Sequence, residues 1–173
     1  MVNPASVSDS YGEWFELINV SIDQIDLNGW IIKDSQDNQH IINNSENNLW
    51  ILPGEYLVLA KNSNISSNGG VVSDYTYSGI SLSNSEDAVI LINDQGAIVD
   101  QVEYNNNWPF SSGVSMELHD ELSQNNDVIN WFAAVNIYGD GDLGTPGSNY
   151  LLDSIALGKV DSNAGITRGH QNK

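Results

Sequence analysis

The chain contains no cysteine, five lysines and arginines against 23 aspartates and glutamates, and three histidines. Without cysteine there is no disulfide framework, no thiolate metal site and no Cys nucleophile; the compartment stays open, because many bacterial secreted proteins also lack cysteine. The formal charge of −18 comes from scarce cations, not abundant acids. Residues 1–149 hold 21 acids against Lys33 and Lys61, a net −19. Such a solvated acidic surface repels phosphate backbones and anionic lipid, so direct nucleic-acid or membrane binding is disfavoured, while divalent cations and basic partners are attracted. No apolar run reaches the length of a membrane span. No basic start followed by an apolar stretch is present, so the chain as given carries no signal peptide. No window sustains a 3.6-residue apolar period, and no long amphipathic helix is expected.

Catalytic motifs are missing as well. Gly79-Ile80-Ser81-Leu82-Ser83 approaches Gly-x-Ser-x-Gly but lacks the closing glycine. His40, His119 and His170 are scattered, whereas a triad needs one histidine held between a serine and a carboxylate. There is no His-Glu-x-x-His for zinc and no Gly-x-x-x-x-Gly-Lys loop to cradle phosphate. His119-Asp120-Glu121 offers an imidazole and two carboxylates, but consecutive residues on extended chain point in opposite directions. A glycosidase needs two carboxyls facing across about 5–9.5 Å. Glu13 and Glu16, three apart on a strand, fall on opposite faces. No enzymatic activity is expected.

What the chain does have is strands. Trp14 to Asn19 is rich in aromatic and branched residues, with Phe15 and Leu17 on one face and Trp14, Glu16 and Ile18 on the other. Asn28-Gly29 turns the chain before a second strand, Trp30 to Lys33, which is expected to pair with the first. His40 to Ile42 reads as a return strand. Pro53-Gly54 suits a type II turn, and Tyr56 to Ala60 is apolar throughout, as in a strand covered on both faces or a sandwich-core strand. Residues 5–12 and the Asn/Ser/Gly-rich stretch Asn62 to Ser73 read as surface loops. Asp87 to Tyr104 is the clearest hairpin, its Asn93-Asp94-Gln95-Gly96-Ala97 loop suiting a type I turn with a G1 bulge. In its second strand Ile98, Val102 and Tyr104 are expected on the buried face. Ser115 to Leu118 gives a further strand, and the apolar Asn130 to Val135 fits a strand or a single turn.

Glu13-Trp14-Phe15-Glu16-Leu17-Ile18-Asn19 followed by Leu27-Asn28-Gly29-Trp30-Ile31-Ile32-Lys33-Asp34 resembles the lamin-tail domain family. The likeness continues in order through Leu52-Pro53-Gly54-Glu55 to Ala60, Tyr77-Ser78-Gly79 with Leu82-Ser83-Asn84, Asp87 to Tyr104, and Tyr138-Gly139-Asp140 to Pro146-Gly147. It spans residues 1–149, and its ending is closer to the bacterial branch than to the nuclear one. The resemblance implies an all-β fold, an immunoglobulin-like β-sandwich of two mostly antiparallel sheets. Residues 150–173 then form a linker or tail, mildly basic after an apolar start. In the family a short strand usually precedes the Asn-Pro that stands here as Asn3-Pro4. Only Met1 and Val2 stand before it, so the chain reads as a fragment or as lacking its first edge strand. A lacking strand would leave a sheet edge open to another chain.

The best cation candidate is the loop from Tyr138 to Gly147, where Asp140 and Asp142 alternate with glycines and could wrap Ca²⁺. The competing reading is a closing turn whose aspartates cap backbone. Asp9 and Glu13 form a weaker cluster. Among the five tryptophans, Trp50 and Trp108-Pro109 are expected to be the exposed ones, and a sugar platform would use them. The resemblance implies a non-catalytic accessory or interaction module of a secreted or surface-associated bacterial protein, tethering or adhering to a protein partner or cell-surface component. It would be a monomer or associate weakly through an edge strand. The alternative is a Ca²⁺-stabilised carbohydrate-binding β-sandwich module.

Overall fold

The computed structural model describes residues 1–44 and 47–148. In chain order the strands are β1 (Trp14–Ile18), β2 (Ile25–Asp26), β3 (Ile31–Lys33), β4 (Gln39–Ile41), β5 (Trp50–Ile51), β6 (Tyr56–Ala60) and β7 (Tyr75–Thr76). They continue with β8 (Asp87–Ile92), β9 (Ile98–Tyr104), β10 (Met116–Leu118), β11 (Trp131–Ala133), β12 (Ile137–Tyr138) and β13 (Asp142–Leu143). One sheet runs β1-β6-β7 and the other β4-β3-β8-β9, with β2-β5, β10-β11 and β12-β13 as two-stranded ribbons around them. The result is a β-sandwich, as the resemblance implies.

The alternation in β1 and β6 builds the interior. Phe15, Leu17, Leu57 and Leu59 face the main core, where they meet Ile32, Leu91 and Tyr104 of the second sheet. Burying one such aliphatic side chain stabilises by about 1.5–3 kcal/mol. On the opposite face Trp14, Val58 and Ala60 meet Met1 and Val71 in a smaller cluster, against which Tyr138 packs. So β6 is covered on both faces, which is why it reads as an unbroken apolar run.

The expected pairing of the two Trp-bearing strands does not form. β1 pairs antiparallel with β6, Phe15 opposite Leu59, while β3 lies in the other sheet between β4 and β8. The stretch between β1 and β3 carries the chain across the sandwich, and buried Asn19 serves its start: its side-chain amide donates to the carbonyls of Asp23 and Ile51.

The hairpin of β8 and β9 forms with the expected turn; Gly96 sits at φ +82°, and Asn93 N–H donates to Ala97 O at 2.9 Å. Its burial differs from expectation. Leu91 pairs with Asp100 and Ile92 with Ile98, leaving Val99 as the extra residue of a bulge. Beyond that bulge the alternation no longer meets the core, and Ile98 is 61% exposed. Val102 and Tyr104, on the other side of it, do pack inward.

Two stretches expected as loops are more ordered than that. Asp9–Gly12 makes one helical turn. Within residues 62–73, Asn68 is buried; its Oδ1 accepts from Gly70 and Val71 N–H, and its amide donates to the carbonyls of Asn62 and Val71. That loop interlocks with the β12-β13 turn. Gly70 and Gly139 both have positive φ, and a Cβ on Gly139 would lie 2.0 Å from the Gly69 carbonyl oxygen. Only glycine permits backbones this close. The 130–135 stretch combines both expected forms, a 3₁₀ turn (Val128–Asn130) leading into β11.

Candidate functional site

The acids are not all solvated. Glu13, Asp34, Asp87, Glu117 and Asp142 are buried, and four of them accept backbone N–H groups. Asp87 shows the consequence: burial alone would raise its carboxyl, but hydrogen bonds from Ser35, Ala88 and Ser83 together hold it below the usual range. Glu13 accepts from Leu82 N–H and Ser81 Oγ, and burial dominates, raising its carboxyl. Asp9 accepts from Asn84 Nδ2 instead, so these two acids are turned to different donors in the 81–84 loop.

Asp142, one of the two candidate cation ligands, is tied up in the same way. The backbone N–H of Ala5 lies 3.2 Å and that of Ser6 3.1 Å from its oxygens, with Ser6 Oγ at 3.0 Å. It clasps the N-terminal segment onto the β12-β13 ribbon. Asp140, two residues away, is exposed. Among the described residues no group of three or more His, Asp or Glu is gathered to hold a metal ion.

The remaining candidates are likewise accounted for by contacts. His40 Nδ1 accepts from Ser78 N–H, leaving Nε2 to donate to Tyr75 Oη at 2.9 Å. His119 stacks on Phe132 with ring centroids 4.6 Å apart, and Glu121 accepts from Tyr56 Oη. His170 lies outside the described residues. Of the expected exposed tryptophans, Trp50 is 44% exposed, but Trp108 is buried, its ring 5.8 Å from that of Trp131. A two-tryptophan platform therefore does not form from Trp50 and Trp108.

A groove of about 250 Å³ has an apolar floor. It runs along the outer edge of β1 and is closed on the far side by β9 and the β10-β11 ribbon. The edge follows from register. Lys61 N–H donates to Glu13 O and Asn19 N–H to Glu55 O, so odd-numbered residues of β1 bond to β6. The backbone groups of Trp14, Glu16 and Ile18 consequently point away from β6. Trp14 exchanges both bonds with Met1, whose amino group donates at 2.9 Å and whose carbonyl accepts at 3.1 Å. Beyond Met1, among the described residues, no backbone pairs with Glu16 or Ile18 on that side.

Leu17, Leu91, Val102, Met116 and Trp131 supply the apolar floor. Glu16 and Glu117 stand at the Met1 end. Glu16 Oε2 accepts from Gly147 N–H at 2.8 Å, and burial pushes its carboxyl up to about 7. Glu117 is 8% exposed; Thr145 Oγ1 donates to its Oε1 at 2.9 Å, and its Oε2 has no hydrogen-bond partner among the described residues. Burial raises Glu117 as well and lowers the Met1 amino group to about 5. The alternation in β1 puts Glu16 on the Trp14 face, whereas sequence reasoning missed Glu117 in the three-residue β10. A lone acid in an apolar strand was the available signal.

A model of the lamin tail domain matches residues 1–106. The described sandwich extends past that match, with Trp108, Met116 and Trp131 packed against the main core. No curated protein matches the chain.

Proposed function

The chain belongs to the lamin tail domain family, and from that membership we propose that it is a non-catalytic module that binds another protein through its rim. The family is one of non-enzymatic, immunoglobulin-like interaction domains. The observation that carries the reading is the groove beside β1, with its apolar floor of Leu17, Leu91, Val102, Met116 and Trp131. Such a groove supplies apolar area for a partner segment. Tethering or adhesion as part of a secreted or surface-associated bacterial protein is the setting that the family resemblance favours. Among the described residues no helix is long and apolar enough to cross a membrane.

Site-specific photo-crosslinking tests this. A crosslinker in place of Val20, at the groove mouth, should give a discrete, saturable adduct in the envelope and secreted fractions of the source cells, competed by unlabelled protein. Adducts absent there and at exposed positions such as Val72 would refute an interaction role. Turnover of a generic ester, phosphodiester or glycoside above the buffer rate would refute the non-catalytic part. The exposed indole of Trp50 favours one second reading, the Ca²⁺-stabilised carbohydrate-binding module. Binding to a glycan panel that is lost in Trp50→Ala would promote it.

A further inference from the structure

We infer that this chain associates with a second copy of itself, face to face, through the outer surface of the β4-β3-β8-β9 sheet. This surface is separate from the β1 groove, so the proposal goes beyond the interaction reading above, and each can fail without the other.

Strand alternation makes the surface. Ile32, Ile42, Leu91, Val102 and Tyr104 point into the main core, so their neighbours along each strand point outward. The bulge at Val99 returns Ile98 to that outer side, opposite Ile92. Register then aligns two rows across all four strands. The first, from edge to edge, is Ile41–Ile31–Ile92–Ile98, and the second is Gln39–Lys33–Ile90–Gln101. Ile41 is 55% and Ile98 61% exposed. Ile31, Ile90 and Ile92 are half-buried, yet among the described residues they pack against neither core cluster. Four isoleucines in line on the solvent side reverse the polar outer face that an antiparallel sheet commonly shows. Both ends of the described chain lie on the other sheet, Met1 against Trp14 and Gly147 against Glu16.

Symmetry and charge together name the occupant. A row of four isoleucines reads the same from either edge. A two-fold axis running along the strands, between β3 and β8, therefore lays the row on its own copy. Ile41 comes over Ile98 and Ile31 over Ile92, each contact made twice. The same operation sets Gln39 over Gln101, whose amides both donate and accept, and the methylene stem of Lys33 over Ile90. Sheet faces pack in this aligned way about 10 Å apart. Residues 1–149 carry a net −19, but these eight positions hold no acid and one cation, Lys33, already paired to Asp37 of its own chain. The acids that repel a second copy stand off this face, and a basic partner finds no carboxylate in the two rows to hold it. Four strands and two rows offer on the order of 300 Å² per copy, against roughly 800 Å² in a standard interface, so the dimer is weak.

Sedimentation equilibrium of the full chain, from about 1 µM to about 1 mM, tests this. The mean mass should climb from monomer toward dimer with no larger species, because an isologous contact closes on itself. Raising NaCl from about 0.1 to about 0.5 M should tighten the dimer several-fold, since salt screens the repulsion between two acidic copies and leaves apolar contact intact. Ile41→Thr combined with Ile98→Thr keeps β-branching at two exposed edge-strand positions, and an unaltered circular dichroism spectrum checks the fold. That double variant should weaken association by about tenfold or more, since each lost contact counts twice. Val72→Thr, on an exposed loop away from this face, should leave association unchanged. A chain that stays monomeric at about 1 mM overturns the proposal. So does a dimer that survives both threonines, or one that loosens as salt rises, since either puts the contact on another surface.

Discussion

Asp142→Ala removes one carboxylate on which three donors from the N-terminal segment converge, and it separates a structural clasp from a calcium ligand. A hydrogen bond to a charged group contributes about 1.5–3 kcal/mol. The Ala5 and Ser6 N–H groups and Ser6 Oγ lie 3.0–3.2 Å from the carboxylate and are only partly buried, so water can replace part of what is lost. A net loss of roughly 3–4 kcal/mol is expected, a large share of the roughly 5–15 kcal/mol of a whole domain. At about 2–4 °C per kcal/mol for a domain of this size, the melting temperature should fall by roughly 6–16 °C. Asp142→Asn, which keeps one oxygen acceptor, should lose about half as much. Asp140→Ala, at an exposed position, should stay within about 0.5 kcal/mol of wild type. The assay is thermal unfolding by circular dichroism in 1 mM CaCl₂ and in EDTA. Were the loop a calcium site with Kd near 10⁻⁴ M, calcium would stabilise by roughly 1.4 kcal/mol, or about 3–6 °C. The clasp predicts no such rise. An Asp142→Ala protein melting within about 2 °C of wild type refutes the reasoning, and so does a calcium-dependent rise that Asp140→Ala abolishes.

Trp14 donates its indole N–H to Tyr138 Oη at 3.0 Å, and the rings meet edge to face at 5.8 Å. Trp14→Ala should cost about 3–5 kcal/mol by urea denaturation, and a double-mutant cycle of Trp14→Phe with Tyr138→Phe should give a coupling of about 0.5–1.5 kcal/mol; additive losses would mean that the pair does not act as one. Gly139→Ala should destabilise by more than about 1 kcal/mol and mostly through backbone clash with Gly69, so a melting temperature equal to wild type would show that the two loops are not in register. Glu16 has its folded pKa raised to about 7 from 4.5, so the native state holds that proton longer, and its contribution is full below about pH 4.5 and lost as pH rises through about 7. The Met1 amino group, lowered from 8.0 to about 5, acts in the opposite direction as pH rises. Glu16→Gln should therefore gain on wild type by about 1–3 kcal/mol between pH 4.5 and 8, and a constant difference in urea midpoint across that range would refute the assignment.

The differences between expectation and structure have a common origin. Strand content, the turns at Asn28-Gly29, Pro53-Gly54 and Gly96, and the buried apolar strand Tyr56 to Ala60 were legible because each depends on neighbours in the chain. The Trp14 and Trp30 strands were misassigned to one sheet because hairpin logic favours adjacent partners, whereas here a crossing segment pinned by Asn19 takes β3 to the other layer. Exposure of Ile98 turned on a single extra residue at Val99. Burial of Trp108 depended on Trp131, which comes 23 positions later.

By itself, the sequence determined that this is an all-β chain with a deep deficit of cations, since composition and two-residue alternation are local properties. Tertiary structure alone decided which acids meet water and which meet backbone N–H groups. It turned Asp142 into a clasp for residues 5 and 6, and it set Glu16 and Glu117, a hundred positions apart in the chain, in the walls of one groove. A carboxylate's role follows from the donors around it and its distance from solvent, and folding brings those neighbours from remote parts of the chain.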